Sequence, residues 1–212
     1  MRGVRGNHWA QQIGASSVLV AVLLLMGETV AGAASGVVIS EHQYGFSFTM
    51  PPNWKQVPLN GSDVTALLNA ATHDDPSLAN ALDSEVTSAA SKGMKVFAIG
   101  PVLGSAVPNL NVIVSSAAGA PTGREFAQEA AAEAKIELTQ VNASHVQTSI
   151  VTNRLGTTAK ATYQLAVKGS STEFGEQFYV QHKNYVDIVT LTTTSSTTTR
   201  SIAQRIVNSW RW

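Results

Sequence analysis

Cysteine is absent from this 212-residue chain. Its absence excludes disulfide bonds, thiolate metal sites and the lipid-modified N-terminal cysteine of bacterial lipoproteins. With no covalent cross-link available, only a hydrophobic core can stabilise the fold. A domain of roughly 180 residues buries about 70% of the surface that its unfolded chain exposes. The length is therefore sufficient for one self-supporting globular domain.

An excess of charge of either sign is also missing. Fourteen basic residues balance fourteen acidic ones. Without the first 33 residues, which include Arg2, Arg5 and Glu28, the counts are 12 basic and 13 acidic, a net charge of −1. Proteins that bind nucleic acids through a basic surface carry a large positive excess. A nucleic-acid partner is therefore not expected.

The common catalytic motifs are missing as well. The sequence has no Gly-x-x-x-x-Gly-Lys or Gly-x-Gly-x-x-Gly loop for a phosphate group. It also lacks the Gly-x-Ser-x-Gly turn of many hydrolases and the zinc-binding pattern His-Glu-x-x-His. We therefore expect no catalytic, cofactor-binding or metal-binding residue that a motif can identify.

His73-Asp74-Asp75 is the densest group of polar side chains that could carry out chemistry. A histidine and two carboxylates can hold a divalent metal or form an acid–base pair. However, adjacent side chains diverge in a loop, and Asp75 before Pro76 fits the N-cap of a helix. We expect a structural role for this loop. His73 and Asp74 remain the nominees for an enzyme without a recognisable motif.

The first 33 residues have the pattern of an export signal. Two arginines precede the apolar residues 13–26, and Ala31-Gly-Ala33 supplies the small residues that a signal peptidase accepts. An uncleaved membrane anchor is the alternative, but a span needs about 20 apolar residues. Glu28 interrupts any longer apolar run. We therefore predict cleavage after Ala33.

An alternating aromatic segment follows. Tyr44, Phe46, Phe48 and Met50 recur at every second residue, which is the spacing of a strand with one apolar face. Two prolines then end the strand, because they lack the backbone donor that a ladder needs. Trp54 comes next, and we expect it to be buried with Phe46 and Phe48 against the sheet or the last helix.

Hydrophobic periodicity predicts the order of the remaining elements as two helices, two strands, a helix, four strands and a helix. The predicted positions are a second helix starting at Pro76, strands at 94–99 and 110–115, a capping box at Thr122 and Glu125, a series of strands after His145, and a last helix capped by Thr197, Thr198 or Thr199. Strands joined by hairpins favour an α+β fold over a doubly wound parallel sheet.

The aromatic strand running into Pro51-Pro52-Asn-Trp54, followed by this order of elements up to Trp210, resembles the PsbP-like, or Mog-type, α/β/α sandwich family. That family includes LpqN-like bacterial envelope proteins, whose lipoprotein cysteine this chain lacks. The resemblance implies an α+β fold with a mainly antiparallel sheet covered by helices on both faces. It also implies a short linker over residues 34–43 and a single domain over 44–212. No functional residue carries over, since only fold-level motifs match.

Members of this family bind other proteins. The resemblance therefore implies an exported, non-enzymatic binding or accessory protein of the cell envelope or extracellular space. Its partner would be another protein, it would need no cofactor, and it would meet a membrane only through an uncleaved signal. Two alternatives remain open: a carrier of a small ligand or lipid, with a pocket between the sheet and the early helices, and an enzyme using His73 and Asp74. A large apolar cavity would favour the carrier, and a filled core would favour the binding protein.

Three further patterns are expected to belong to ordinary surface. They are the histidines His42, His145 and His182, the acidic row Glu125, Glu129, Glu133 and Glu137, and the N-glycosylation patterns that begin at Asn60 and Asn142. The acidic residues recur every fourth position, where like charges cost a few tenths of a kcal/mol each on a helix. The glycosylation patterns matter only in a eukaryotic secretory route.

Overall fold

A computed structural model of the chain describes residues 36–59, 86, 90–101, 108–166 and 172–212. The strands and helices in these ranges are β1 (Val38–Glu41), β2 (Phe46–Thr49), β3 (Lys55–Gln56), β4 (Met94–Ile99), β5 (Asn109–Ser116), α1 (Gly123–Gln140), β6 (Ser144–Asn153), β7 (Gly156–Leu165), β8 (Glu173–His182), β9 (Tyr185–Thr193) and α2 (Ser196–Ser209). The predicted early helices lie almost entirely outside the described residues. The predicted strands after Gly93, the α1 helix and the last helix are all present.

Seven of these described strands form one antiparallel sheet in the order β3-β4-β5-β9-β8-β7-β6. The strands β1 and β2 form a separate antiparallel hairpin. The predicted α+β class is therefore confirmed. The linker prediction needs correction, because β1 lies inside residues 34–43 and pairs with the aromatic strand β2 through four residues of register.

A hydrophobic core lies on each face of the sheet. Helix α1 covers one face, which we call the α1 face, and α2 covers the other together with the β1–β2 hairpin, which we call the α2 face. The α1 helix packs through small side chains, so its backbone lies close to the sheet; its buried residues are Phe126, Ala127, Ala130, Ala134, Glu137 and Leu138. The predicted sandwich with helices on both faces is confirmed.

The α2 face holds the aromatic cluster that the alternating segment predicts. The rings of Phe46 and Phe48 stack on Trp210, with centroid distances of 4.9 and 5.1 Å, and Trp54 is buried in the same core. Two backbone hydrogen bonds between Ser47 and Arg211, at 2.9 and 2.8 Å, hold the C-terminal residues against β2. The predicted burial of Trp54 with the two phenylalanines is confirmed.

Both predicted helix caps need correction. Thr122 occupies the N-cap position of α1, but its side chain accepts no capping hydrogen bond. The next residue, Gly123, has a φ of +60°, so the first turn lacks the regular geometry that a capping box requires. Helix α2 is capped by Ser195, whose hydroxyl accepts from the Thr198 amide at 3.4 Å, and not by Thr197, Thr198 or Thr199. Thr199 is buried instead, and its hydroxyl donates to the Ser195 carbonyl.

Candidate functional site

The loop that sequence reasoning nominated for chemistry lies outside the described residues. This applies to His73, Asp74 and Asp75, and also to Asn60. Across the described ranges, no group of three or more His, Cys, Asp or Glu residues could hold a metal ion. None of the helices in those ranges is long and apolar enough to cross a membrane.

Strand β6 forms one edge of the described sheet. It is ten residues long, pairs with β7 on one side, and has no strand on its other side among the described residues. Its sequence, Ser-His-Val-Gln-Thr-Ser-Ile-Val-Thr-Asn, contains no lysine, arginine, acid or proline. Natural sheets usually protect a long edge with such residues, because unpaired backbone groups recruit another strand. The opposite edge strand, β3, has only two residues and includes Lys55.

One irregularity limits the length of this free edge. The register between β6 and β7 shifts between Ser144 and Gln147, and His145 within the shift has a φ of +54°. From Gln147 to Asn153 the pairing with β7 is regular. The segment 147–153 is therefore the part of β6 whose outer backbone groups can pair with another chain.

A groove opens beside the first part of β6 on the α2 face. The groove has a volume of about 260 Å³ and runs from the edge strand to the start of α2. Its lining residues are His145, Gln147, Thr162, Tyr163, Gln164, Phe174, Gly175, Glu176, Ser196, Thr199 and Arg200. Lys160 and Glu176 form an ion pair at 2.8 Å. Arg200 is exposed and has no carboxylate partner in the described ranges. The groove therefore offers one uncompensated cation next to the free edge.

The second candidate is a cluster on the α1 face, which we call the polar patch. Directly paired residues of an antiparallel sheet share a face, as do residues two apart on one strand. By this rule, polar side chains of three neighbouring strands lie together on the α1 face, and Tyr163 of β7 lies beside them. The residues of the patch are Asn109 and Asn111 of β5, Thr190 and Thr192 of β9, Glu173 and Gln177 of β8, and Tyr163. All seven are at most 5% exposed.

Part of the polar patch is linked by hydrogen bonds to α1. The Gln177 amide donates to the Thr190 hydroxyl at 2.9 Å. The Tyr179 hydroxyl lies 3.1 Å from the Gln177 side-chain oxygen and 3.3 Å from Glu137 Oε2, and can donate to either. Glu137 is therefore buried against the sheet, which corrects its predicted place in a solvated acidic row. The exposed Glu125 agrees with that prediction.

The other part of the polar patch surrounds Gly175. The Tyr163 ring lies directly over this glycine, so that a β-carbon added there would collide with the ring carbons and the hydroxyl. Burial raises the pKa of Tyr163 strongly, and the neighbouring Thr192 hydroxyl offsets this only in part. Burial also raises the pKa of Glu173 to about 7. The glycine thus lets a tyrosine hydroxyl reach into the middle of the patch.

Two further buried or half-buried groups are Asp187 of β9 and His182 at the end of β8. Burial raises the pKa of Asp187 to about 7. His182 stacks on Trp212 with a centroid distance of 4.0 Å, and burial, assisted by the charge of Lys183, lowers its pKa. The prediction that His182 is solvated is therefore wrong, whereas His42 and His145 are exposed as predicted.

The sequence has no match among protein-family models or curated proteins. Among solved structures, cyanobacterial PsbP from Synechocystis sp. PCC 6803 superposes with a TM-score of 0.53 at 16% identity, covering 88% of this chain and 98% of that one. The chain has the PsbP-like fold. At this identity the similarity concerns the fold alone.

Two other solved structures match at lower similarity. LpqN, involved in cell envelope biogenesis of Mycobacterium tuberculosis, gives a TM-score of 0.46 at 13% identity, covering 90% of this chain and 89% of its own. The Saccharomyces cerevisiae Ran-binding protein Mog1p gives 0.47 at 8% identity, covering 83% and 94%. The superposition on cyanobacterial PsbP confirms the fold predicted from the aromatic strand and the order of elements.

Proposed function

We propose that this protein is an exported, non-enzymatic binding or accessory protein, and that its partner is another protein that docks on the segment 147–153 of β6. The observation that carries the proposal is the long, uncharged edge of β6 with no strand on its outer side among the described residues. An extended partner segment that pairs with such an edge gains main-chain hydrogen bonds along its length. The partner would act as an additional strand of the sheet.

The groove beside β6 supports the same proposal. Side chains of an added strand would alternate between the two faces of the sheet, and those on the α2 face would lie beside Gln147 at the mouth of the groove. Main-chain pairing supplies affinity in this mode of binding, whereas side-chain pockets supply specificity. Arg200 would select for a partner with an acidic side chain near that end.

The packing of the described core also supports a binding protein over a lipid carrier. On the α2 face the cavity beneath α2 measures only about 10 Å³, which is too small for a ligand. On the α1 face, Val57 and Val86 both pack in the core. The sheet there is lined in part by the polar patch rather than by apolar side chains. A lipid chain would find a poor match in such a surface.

Charges placed on the edge of β6 are expected to abolish partner binding. Ser149 and Thr152 are exposed, so replacing both with lysine should leave the fold intact while hindering the approach of another strand. Gln128→Lys, on the exposed side of α1, adds the same charge away from the edge and is the control. Affinity capture from envelope extracts should show proteins retained by the wild type and the control but lost with S149K/T152K.

Hydrogen exchange then locates the contact. In the complex with a captured partner, the amides of 147–153 should exchange more slowly than in the free protein. Equal retention of every partner by all three baits, or protection elsewhere on the surface, would contradict docking at β6. Light scattering that shows a dimer of the wild type and a monomer of S149K/T152K would instead identify a second copy as the occupant.

Export is expected to remove the first 33 residues. A signal peptidase cleaving after Ala33 would leave a secreted product that begins at Ala34, and its intact mass would be lower by the mass of residues 1–33. A lysine substitution of Ala33 should slow this cleavage. A membrane-bound product that still contains Met1 would contradict the proposal and indicate an anchor.

A further inference from the structure

We propose that a groove at the C-terminal end of α2 binds the headgroup of an anionic phospholipid at a membrane surface. This hairpin groove has a volume of about 490 Å³, and its lining residues are Gly36, Thr49, Met50, Pro51, Pro52, Arg205, Asn208, Ser209 and Arg211. It shares no residue with the groove beside β6, so the proposal is independent of the protein-binding edge. The contact would be additional to any membrane attachment through an uncleaved signal.

Hydrogen bonds hold the two sides of the hairpin groove together. The Ser209 hydroxyl at the end of α2 accepts from the Thr49 amide of β2 at 3.0 Å. The Arg211 guanidinium donates through Nη1 to the carbonyls of Asn208 and Trp210, at 3.3 and 2.7 Å. These bonds fix one cationic side chain at the mouth of the groove before any ligand arrives.

The charge around the groove is of one sign. Residues 42–59 and 188–212, which supply every lining residue except Gly36, contain four lysines or arginines and no acidic residue, although the whole chain is balanced. Arg205 and Arg211 are both exposed. The ion pair that the described residues form is the one between Lys160 and Glu176, so neither arginine has a carboxylate partner among them. An anionic ligand would compensate both charges.

The hydrogen-bonding groups left for a ligand are donors. Within the part of the chain that the structure describes, no acceptor is bound to the Arg205 guanidinium or to Nη2 and Nε of Arg211. The Asn208 side-chain oxygen already accepts from Gln204 at 2.9 Å, which leaves its amide group to donate. Guanidinium groups donate and never accept. A phosphate group offers only acceptor oxygens, and arginine can bind it through two parallel hydrogen bonds.

Exposed apolar side chains next to the groove favour a lipid over a soluble anion. Val37 and Val38 are 54% and 63% exposed, the highest fractions among large apolar side chains in the described ranges. The Val37 carbonyl accepts from the Met50 amide at 2.8 Å, and Val38 pairs with Thr49. Both partners line the groove. At a bilayer surface, arginines meet the anionic headgroups while neighbouring apolar side chains enter the boundary with the acyl chains.

The experiment titrates the full-length chain with dihexanoylphosphatidylglycerol below its micelle-forming concentration and follows the arginine Nε–Hε signals by NMR. We expect saturable shifts at Arg205 and Arg211. The exposed Arg124 and Arg154 lie elsewhere on the surface and should not shift. Because each signal reports its own site, lipid bound by the export signal is not mistaken for lipid in the groove. Dihexanoylphosphatidylcholine, whose headgroup has no net charge, should bind much more weakly.

Substitutions then test the two arginines, with affinity followed at the backbone amides of Thr49 and Met50. R205Q/R211Q should weaken binding of the phosphatidylglycerol about 30-fold, since each basic residue at an anionic lipid surface contributes about a fivefold factor. Arg211 also hydrogen-bonds the end of α2, so Arg205→Gln alone, with an expected loss of about fivefold, is the variant that leaves those bonds intact. R124Q/R154Q removes the same charge elsewhere and should bind like the wild type.

Glycerol 3-phosphate distinguishes a membrane lipid from a soluble phosphate ester. It carries the phosphate without acyl chains and should bind more weakly than the lipid, and Val38→Ser should weaken binding of the lipid alone. If glycerol 3-phosphate binds as tightly as the lipid, the ligand is a soluble phosphate ester and the membrane proposal is overturned. Equal shifts at all four arginines, equal affinity for the two lipids, or tighter binding of a hexaglutamate peptide would overturn it as well.

Discussion

Trp54→Ala is expected to destabilise the folded protein by about 3–5 kcal/mol, the usual cost of removing a core aromatic side chain. Trp54 is only 6% exposed. Its ring packs against the backbone at Gly100, where a β-carbon would lie 2.8 Å from Cε2. The substitution loses the free energy of burying the indole. It also leaves a cavity in the core that contains Phe48 and Trp210, because neighbouring atoms relax only partly into the vacated space.

The effect of Trp54→Ala can be measured by chemical denaturation, with Trp212→Ala as a matched control. Trp212 is the same residue type, but 43% exposed, so its loss should cost far less even though it contacts His182. We expect the denaturation midpoint to fall strongly for the first variant and slightly for the second. Similar midpoints for Trp54→Ala and wild type would show that Trp54 does not contribute to the core.

The aromatic strand shows why this part of the fold could be predicted from sequence. Alternation at every second residue fixes which side of β2 is apolar without any knowledge of its partners, and the two prolines fix where the strand ends. The buried residues of β2 are Phe46 and Phe48, as predicted. Their partner Trp210 lies at the end of the predicted order of elements. Only the stacking of the three rings required the structure.

The polar patch could not be predicted in the same way. On β5 and on β9 the polar side chains are two residues apart, as in Asn109 and Asn111 or Thr190 and Thr192. The same spacing is found on the exposed face of an ordinary strand. Whether these side chains face solvent or core depends on the order of strands in the sheet. The sequence does not contain that order in any local pattern. The one local signal was Gly175 within an otherwise strong strand, which indicates a close approach of another group.

The prediction that the Glu137 side chain is solvated is wrong for a related reason. Its spacing from Glu133 places it in an acidic row, and the row was interpreted as a solvated surface. A helix of 3.6 residues per turn drifts relative to a four-residue repeat, so the last member of such a row can rotate toward the sheet. There it meets Tyr179. The edge strand β6, likewise, was predicted as a strand, but its position at the edge of the sheet follows only from the topology.

The folded protein is expected to lose stability as the pH rises from about 4 to 7, and Asp187 is expected to cause much of this loss. Burial raises its pKa from 3.8 to about 7. Between these values the folded state binds a proton that the unfolded state has released, so the free energy of unfolding falls as the pH increases. Above pH 7 the Asp187 carboxyl is ionised in both the folded and the unfolded state, and the free energy of unfolding falls no further on its account. Glu173, whose pKa burial also raises to about 7, acts in the same direction.

Asp187→Asn tests this assignment, because asparagine has nearly the shape of the protonated acid and never ionises. At pH 8 the variant should be more stable than the wild type by at most about 4 kcal/mol, since each unit of pKa shift corresponds to about 1.4 kcal/mol. At pH 4 the two should be similar. Glu125→Gln, at an exposed position of α1, is the control and should leave the pH profile of urea denaturation unchanged. If Asp187→Asn and wild type lose stability in parallel between pH 4 and 8, the buried carboxyl is not the group that titrates.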